Sequence, residues 1–415
     1  MRIGIAAARL SGVDGVSFEA AKWEHVLTEL GYEVRLCTGQ LDGFRATARV
    51  IPAMQFVDAE MTAASTAAFD PRHDPDAVRR EIRRLADALL GELRSWVAEE
   101  SIELVVVENA WAIPMQLPLG VALAQLVAET GLPAIGHHHD YWWERSRFAG
   151  CIVPELLEEA FPPNLPSIRH ASINTLAGAE LRRRRGIMSD VVPNVYDFDQ
   201  PLPPAVAGVR LALRRELSMG PDDLLVVQPT RVVPRKGIEL TIELVGRLRD
   251  PRAVILVTGP SGDEGHAYLA DLKHQARSAG VALRYRPERF APDHDGPPVG
   301  PAHSLADAYQ AADLIAYPSL YEGFGNALLE SVFFGRPLLV NRYAVYVADI
   351  APKGFRFIEV DHAIADQTVD EVRAVLADPA RQAAVADHNR AIGRRHFGYD
   401  VLRAYLRATI DGLSA

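Results

Sequence analysis

Short unbroken runs of Val, Ile, Leu and Ala alternate along most of the chain with longer segments whose apolar residues recur at helical spacing. The first kind predicts strands at residues 2–7, 33–37, 102–107, 134–138, 168–174 and 190–192. A second set follows at 224–228, 253–258, 283–286, 314–317, 337–340 and 355–359. Helical patterns lie between most of them, for example at 17–30, 76–100 and 238–249. Continuous apolar strands separated by helices predict parallel sheets covered on both faces, an α/β class with two doubly wound, Rossmann-like halves.

The two sets are divided by the proline-rich polar stretch 193–204, which reads as a semi-rigid linker. The expected domains are 1–200, 201–396, and a terminal helical piece 397–415 that packs back on the first domain. The pattern 399–412 is helical with no strand after it, so the final two helices are expected to cross back. Residues 43–75 are weakly periodic and rich in Ala and Thr, which predicts a long loop or insertion; residues 292–300 read as a second loop.

Length supports this division, because 415 residues exceed one ordinary hydrophobic core. No apolar run approaches bilayer-spanning length. A strand beginning at Arg2 leaves no room for a signal peptide, so the expectation is a cytoplasmic protein. Cys37 and Cys151 cannot build a disulfide framework and are too few for a zinc site. A net charge of −10 argues against nucleic-acid binding, which needs a basic face. One basic run, Arg182 to Arg185, is either a solvated helix end or a grip on an anionic acceptor or lipid headgroup, so peripheral membrane contact stays open.

The densest chemistry lies at Glu322-Gly323-Phe324-Gly325-Asn326-Ala327-Leu328-Leu329-Glu330. An apolar strand precedes it and an amphipathic helix follows, so backbone N–H groups gather at a helix N-terminus where a phosphate can sit. Two acceptor carboxylates flank that seat, which suits a ligand carrying a diphosphate between hydroxyl-bearing ends. In the same half, Arg231 and Lys236 lie five positions apart around a proline bend, a fork and a point charge for neighbouring phosphate oxygens. Arg235 is expected to face outward.

In the first half, His137-His138-His139-Asp140 ends a strand. Neighbours on a strand face opposite ways, so the three histidines cannot chelate one ion from one side; His137 and His139 share a face and His138 takes the other. The following Tyr141-Trp142-Trp143 offers rings for stacking on a sugar, or for packing under the loop. Asp197 and Asp199 spell D-x-D, but in the linker rather than at a strand end, so no metal is expected there. The glycine loop ending at Gly15 precedes a helix without matching a dinucleotide or P-loop fingerprint.

These features in this order resemble the retaining glycosyltransferases of family 4. The resemblance covers nearly the whole chain and rests on the loop at Gly15, the histidine after the fourth strand, the 193–197 linker, Arg231 with Lys236, Gly259, the run 312–319, the Glu322–Glu330 pair and Gly335-Arg336-Pro337. It implies the GT-B fold, two Rossmann-like domains facing across a cleft, and transfer of a hexosyl group from a UDP- or GDP-sugar to a small-molecule or glycan hydroxyl, with no metal or other cofactor. By the same resemblance His139, Glu322, Arg231 and Lys236 carry the chemistry. Arg231 and Lys236 would hold the diphosphate, Glu330 the ribose, and Glu322 with the amides of Gly323, Phe324, Gly325 and Asn326 the donor sugar. His139 would approach the transferred sugar, Gly15 would let the first domain's loop close on the diphosphate, Gly259 would belong to the donor site, and Arg286 would mark the nucleobase end. Asp140, Tyr141 and Trp142 are the acceptor-side candidates.

Residues 341–350 depart from the family's small-residue turn followed by a glutamate, and the triple histidine and double tryptophan are unusual, which bears on substrate identity rather than reaction class. The competing readings are a nucleotide-sugar epimerase or a phosphorylase on the same scaffold, and a non-catalytic sugar-nucleotide binding protein.

Overall fold

Runs buried on both faces can satisfy their backbone only in a sheet interior. The computed structural model, which describes all residues except 12–14, 43–45, 203–206, 262–266, 292–302 and 415, places them there. The chain divides into two units, Met1–Asn194 with Asp400–Ala415, and Val195–Tyr399.

The first unit contains β1 (Arg2–Ala7), α1 (Gly15–Glu29), β2 (Glu33–Thr38), β3 (Thr47–Val50), α2 (Ala59–Ala67), α3 (Pro75–Glu99), β4 (Leu104–Glu108), α4 (Leu117–Thr130), β5 (Ala134–His138), α5 (Pro154–Ala160), β6 (Ile168–Ser172), α6 (Thr175–Arg185) and β7 (Ser189–Val191). Its strands form one parallel sheet in the order β3-β2-β1-β4-β5-β6-β7. A core of Leu85, Leu89, Leu93 and Trp96 from α3 with Leu119, Leu123 and Leu126 from α4 covers one face.

The second unit contains α7 (Ala207–Glu216), β8 (Leu225–Gln228), α8 (Ile238–Leu248), β9 (Val254–Val257), α9 (Ala267–Ser278), β10 (Ala282–Tyr285), the two-residue strands β11 (Phe290–Ala291) and β12 (His303–Ser304), α10 (Leu305–Ala311), β13 (Leu314–Tyr317), α11 (Asn326–Phe333), β14 (Leu338–Asn341), β15 (Ile358–Val360), α12 (Asp366–Leu376) and α13 (Pro379–Phe397). Its main sheet is parallel with order β10-β9-β8-β13-β14-β15. In each unit the strand order reverses beside the first strand, between β1 and β4 and between β8 and β13. In open parallel sheets ligands bind outside the carboxyl ends of the strands at that switch point.

Two expectations need correction. Residues 43–75 are not one loop. The described part holds β3, paired edge-on to β2, and α2, whose N-terminus is capped by Asp58 accepting from Met61 N at 3.0 Å. Of the two helices expected to cross back, α13 stays with the second unit. There Arg390 donates to the carbonyls of Phe333 (3.0 Å) and Phe198 (2.9 Å). The last helix, α14 (Tyr399–Ser414), counts from Asp400 on with the first unit, where Tyr405 meets Trp23 edge-on at 6.0 Å. The predicted loop 292–300 lies outside the described residues.

Candidate functional site

The switch point of the second unit is built by the loops that leave β8 and β13. Past Gln228 the chain runs through Arg231 into a tight turn, Pro234–Lys236, before α8. The Gln228 amide donates to the Lys236 carbonyl at 2.9 Å while its oxygen accepts from Thr241 Oγ1 at 2.6 Å, which fixes the turn against the strand end. From β13 the chain runs through Pro318 to Glu322. Both Lys236 and Glu322 are 8% exposed, and Lys236 Nζ donates to Glu322 Oε1. The ammonium also stands 5.3 Å from the centre of the Tyr317 ring.

Arg235 does not face outward. Its Nη1 donates to Glu322 Oε2 at 3.0 Å and to the Tyr321 carbonyl at 3.2 Å, and its own carbonyl accepts from Leu320 N at 2.8 Å. The proline turn swings this side chain onto the neighbouring loop, so both oxygens of Glu322 carry a cation. Burial pushes the Glu322 carboxyl up, but Lys236 and Arg235 together hold it below the usual range. Burial lowers the Lys236 ammonium against the opposing pull of Glu322. Arg231 is exposed and close enough to add its positive field at Lys236.

The turn after Glu322 depends on glycine. Gly325 has φ +120°, and a Cβ there would stand 2.8 Å from Tyr343 Oη and 3.0 Å from the Tyr317 ring. Tyr343 secures the turn by donating to the Phe324 carbonyl at 2.5 Å. Helix α11 then starts at Asn326 with no side-chain cap, so the amides of its first turn face the loop. Glu330 lies one turn further on and accepts from Tyr309 Oη, a buried phenol whose pKa burial and Glu330 raise. Gly259 follows β9, and a Cβ there would fall 2.4 Å from the Thr230 carbonyl oxygen, so only glycine lets this loop lie against the Arg231 turn. Arg286 is exposed just past β10, with Nη1 donating to the Tyr285 carbonyl at 3.0 Å.

In the first unit the histidines alternate as the strand requires. His138 turns to one side and its Nε2 pairs with His170 Nδ1 at 2.9 Å. His137 and His139 turn to the other, with ring centres 4.6 Å apart, and meet Glu108 from the end of β4. His137 Nδ1 lies 2.9 Å from Glu108 Oε2, and His139 Nε2 lies 3.5 Å from the same oxygen. Trp23 stacks on His137 at 4.3 Å. All three groups are buried. Burial pushes His137 down to about 4, lowers His139, and raises Glu108 against the opposing pull of His139. Their ligand atoms all lie within 4.8 Å of one another, close enough to hold an ion.

Asn109 shapes the corner that follows. It adopts φ +55°, its N–H donates to the His137 carbonyl at 2.8 Å, and its side chain joins His139 N (2.9 Å) to Asp140 Oδ1 (3.2 Å). Asp140 is half-buried and also takes the Arg145 guanidinium. Tyr141 leaves the set of acceptor-side candidates. Its ring is fully enclosed, stacked on Trp143 at 4.6 Å, with its hydroxyl 2.8 Å from Ser172 Oγ. Trp142 is half-buried and its indole N–H donates to the Phe161 carbonyl at 3.2 Å. Gly15 is the exposed first residue of α1, and the glycine loop before it lies outside the described residues.

The remaining motifs are absorbed locally. Asp197 Oδ1 accepts from Asp199 N at 3.1 Å, and Asp199 pairs with Arg394, so D-x-D is a turn here. Arg183 and Arg184 pair with Glu180, while Arg185 donates to the Phe161 carbonyl at 2.9 Å and the Glu158 carbonyl at 2.6 Å, at the carboxyl end of α5. Among the described residues no helix is long and apolar enough to cross a membrane.

Sequence reasoning passed over Gln228, Tyr309 and Tyr343, which act through contacts between distant segments. It also passed over Glu108 and Asn109. Their signal was available, because a Glu-Asn pair directly after the run Leu104-Val105-Val106-Val107 stands at the carboxyl end of a strand, where doubly wound sheets present ligands.

Comparison with known proteins agrees with this geometry. Residues 209–392 match the family model for glycosyl transferases group 1. The chain is 31% identical to the mannosylglucosylglycerate synthase of Thermotoga maritima, over 98% of this chain and 99% of that one. It is 30% identical to the enzyme of the same name from Petrotoga mobilis, over 87% and 86%. The sucrose-phosphate synthase of Thermosynechococcus elongatus superposes with a TM-score of 0.69 at 16% identity, over 99% of this chain and 98% of that one, which gives the fold as GT-B. Two doubly wound units, one of them carrying a cation-bound glutamate at its switch point, and a relative that matches nearly from end to end, make this chain a glycosyltransferase and a member of the glycosyl transferases group 1.

Proposed function

We propose that this glycosyltransferase moves a hexosyl group from a nucleoside-diphosphate sugar to a hydroxyl acceptor with retention of anomeric configuration, in the manner of family 4, without a metal. The observation that carries this reading is the buried Lys236–Glu322 pair, joined by the half-exposed Arg235, at the β8/β13 switch point. Lys236 has three N–H donors, so it can keep Glu322 and still meet a phosphate oxygen. Arg231 supplies the second cation. Glu322 and the amides of the Gly323–Phe324–Gly325–Asn326 turn serve the donor sugar, Glu330 the ribose, Gly259 the close approach to the diphosphate, and Arg286 the base end. In the first unit the reading assigns His139 to the transferred sugar, Gly15 to the loop that approaches the diphosphate, and Asp140 and Trp142 to the acceptor.

In this reading the bond from the anomeric carbon to the leaving phosphate breaks, and the acceptor oxygen bonds that carbon on the same face. The acceptor's proton passes to the departing phosphate oxygen. The protein's work is positioning and charge stabilisation rather than supplying a base.

The two mannosylglucosylglycerate synthases sharpen the substrate. Both are named for making mannosylglucosylglycerate. The first pair to test is therefore GDP-mannose with glucosylglycerate, then UDP-glucose and other hydroxyl acceptors. Transfer by the wild type should fall by roughly two to three orders of magnitude in Lys236→Ala and in Glu322→Ala, on the scale of losing one electrostatic contact to a transition state. Full activity in both variants overturns the site. Transfer with inversion, read by NMR of the product linkage, overturns retention.

A further inference from the structure

We infer that Glu108 is a positioning residue for the reaction, orienting His139 from beneath and setting which of its ring nitrogens carries the proton. This rests on the reading above that His139 meets the transferred sugar. Glu108 ends β4, beside the β1/β4 reversal where the first unit presents its ligand edge. It is fully enclosed, and its carboxylate stands between two imidazoles, 2.9 Å from His137 Nδ1 and 3.5 Å from His139 Nε2. Trp23 fixes His137 by stacking at 4.3 Å, and the His137 Nδ1 contact at 2.9 Å anchors the Glu108 carboxyl group in turn. His139 Nε2 is enclosed and has no hydrogen-bond partner in this geometry, because 3.5 Å is too long for one. An enclosed ring nitrogen in that position gains most by carrying the proton and tilting toward the carboxylate when a ligand draws the ring into place. With the proton on Nε2, Nδ1 is left as an acceptor for a sugar hydroxyl. The next residue, Asn109, holds the His139 amide at 2.9 Å, so consecutive side chains from β4 fix both the backbone and the ring of His139.

The carboxylate is the element that matters, so the informative change is Glu108→Gln, with Glu108→Asp as a second variant that keeps the charge. Metal-ligating histidines lose roughly 10- to 100-fold when the partner that orients them is changed, and the same scale is taken for His139. Glu108→Gln should therefore lower kcat by about 10- to 100-fold with the donor KM within about threefold. Glu108→Asp should recover part of that loss. Because the effect runs through the histidine, adding Glu108→Gln to His139→Ala should change kcat by less than about twofold. Melting temperature and circular dichroism of each variant report folding independently of turnover. If Glu108→Gln multiplies the His139→Ala loss in full, or if both Glu108 variants fail to fold, the carboxylate is structural and the inference falls. If His139→Ala keeps wild-type activity, the assignment of His139 falls, and this inference with it. If His139→Ala is impaired and Glu108→Gln is not, only the inference falls. A divalent ion bound one-to-one in purified wild type and lost in Glu108→Gln, by elemental analysis, also overturns it, since the carboxylate would then be a ligand to that ion.

Discussion

Glu322 shows what one residue can do in a site of this kind. A carboxylate taken almost wholly out of water costs several kcal/mol unless it is paired, and here each oxygen has its own cation. The pair is therefore ionised before any ligand arrives. Removing one partner leaves an uncompensated buried charge. Glu322→Leu should destabilise the second unit by about 3 kcal/mol, and adding Lys236→Met should restore part of that loss. Urea unfolding of the single and double variants measures both. Single changes that cost less than about 1 kcal/mol would mean the pair behaves as a solvated surface bridge. The carboxylate and the lysine were legible in the sequence from their spacing around glycine and proline. Arg235 was not, because the direction of a side chain leaving a proline turn depends on the loop packed against it, and that loop is 87 positions away.

At the scale of elements, the corner where β5 meets β6 carries a pH dependence. His170 is pushed down to about 4 by burial, against an ordinary value of 6.5. A base with a depressed folded pKa resists protonation that the unfolded chain accepts. Its contribution is complete above pH 6.5 and is lost as the pH falls from there to about 4. A shift of that size corresponds to roughly 3 kcal/mol. Chemical unfolding of the first unit at pH 7, 6, 5 and 4 should show the decline, and His170→Asn should make it shallower, the remainder coming from His137, His138 and His139, which burial also lowers. An unchanged slope in that variant would place the titration elsewhere. The strands of this sheet were readable because they are apolar on both faces, as parallel interior strands must be. β3 escaped because an edge strand has only one neighbour and need not be apolar throughout, and its four residues are at best half-buried. α2 escaped because alanine and threonine give little contrast between faces, and its start is fixed by the Asp58 cap instead.

At the scale of the whole molecule, the chain leaves the first unit at Asn194, builds the second, and returns at Asp400 to finish the first. The donor machinery proposed above lies within Val195–Tyr399 except for His139 and Gly15. A nucleoside diphosphate should therefore raise the melting transition of the second unit, by an amount that grows with its saturation. Scanning calorimetry with GDP, UDP and ADP reads this directly and ranks the bases at the same time. The returning helix belongs to the other transition. α14 buries Leu402, Leu406 and Ile410 along one face, sets Tyr405 against Trp23 and pairs Arg403 with Glu29. Each buried aliphatic side chain is worth about 1.5–3 kcal/mol, so ending the chain before Asp400 removes a large part of what a domain typically has in reserve. Truncation at Tyr399 should abolish or sharply lower the first unit's transition, while the second unit still melts cooperatively and still responds to the nucleotide. Loss of both transitions together would mean that the units fold as one, and that the division at Asn194 and Asp400 is geometric without being energetic.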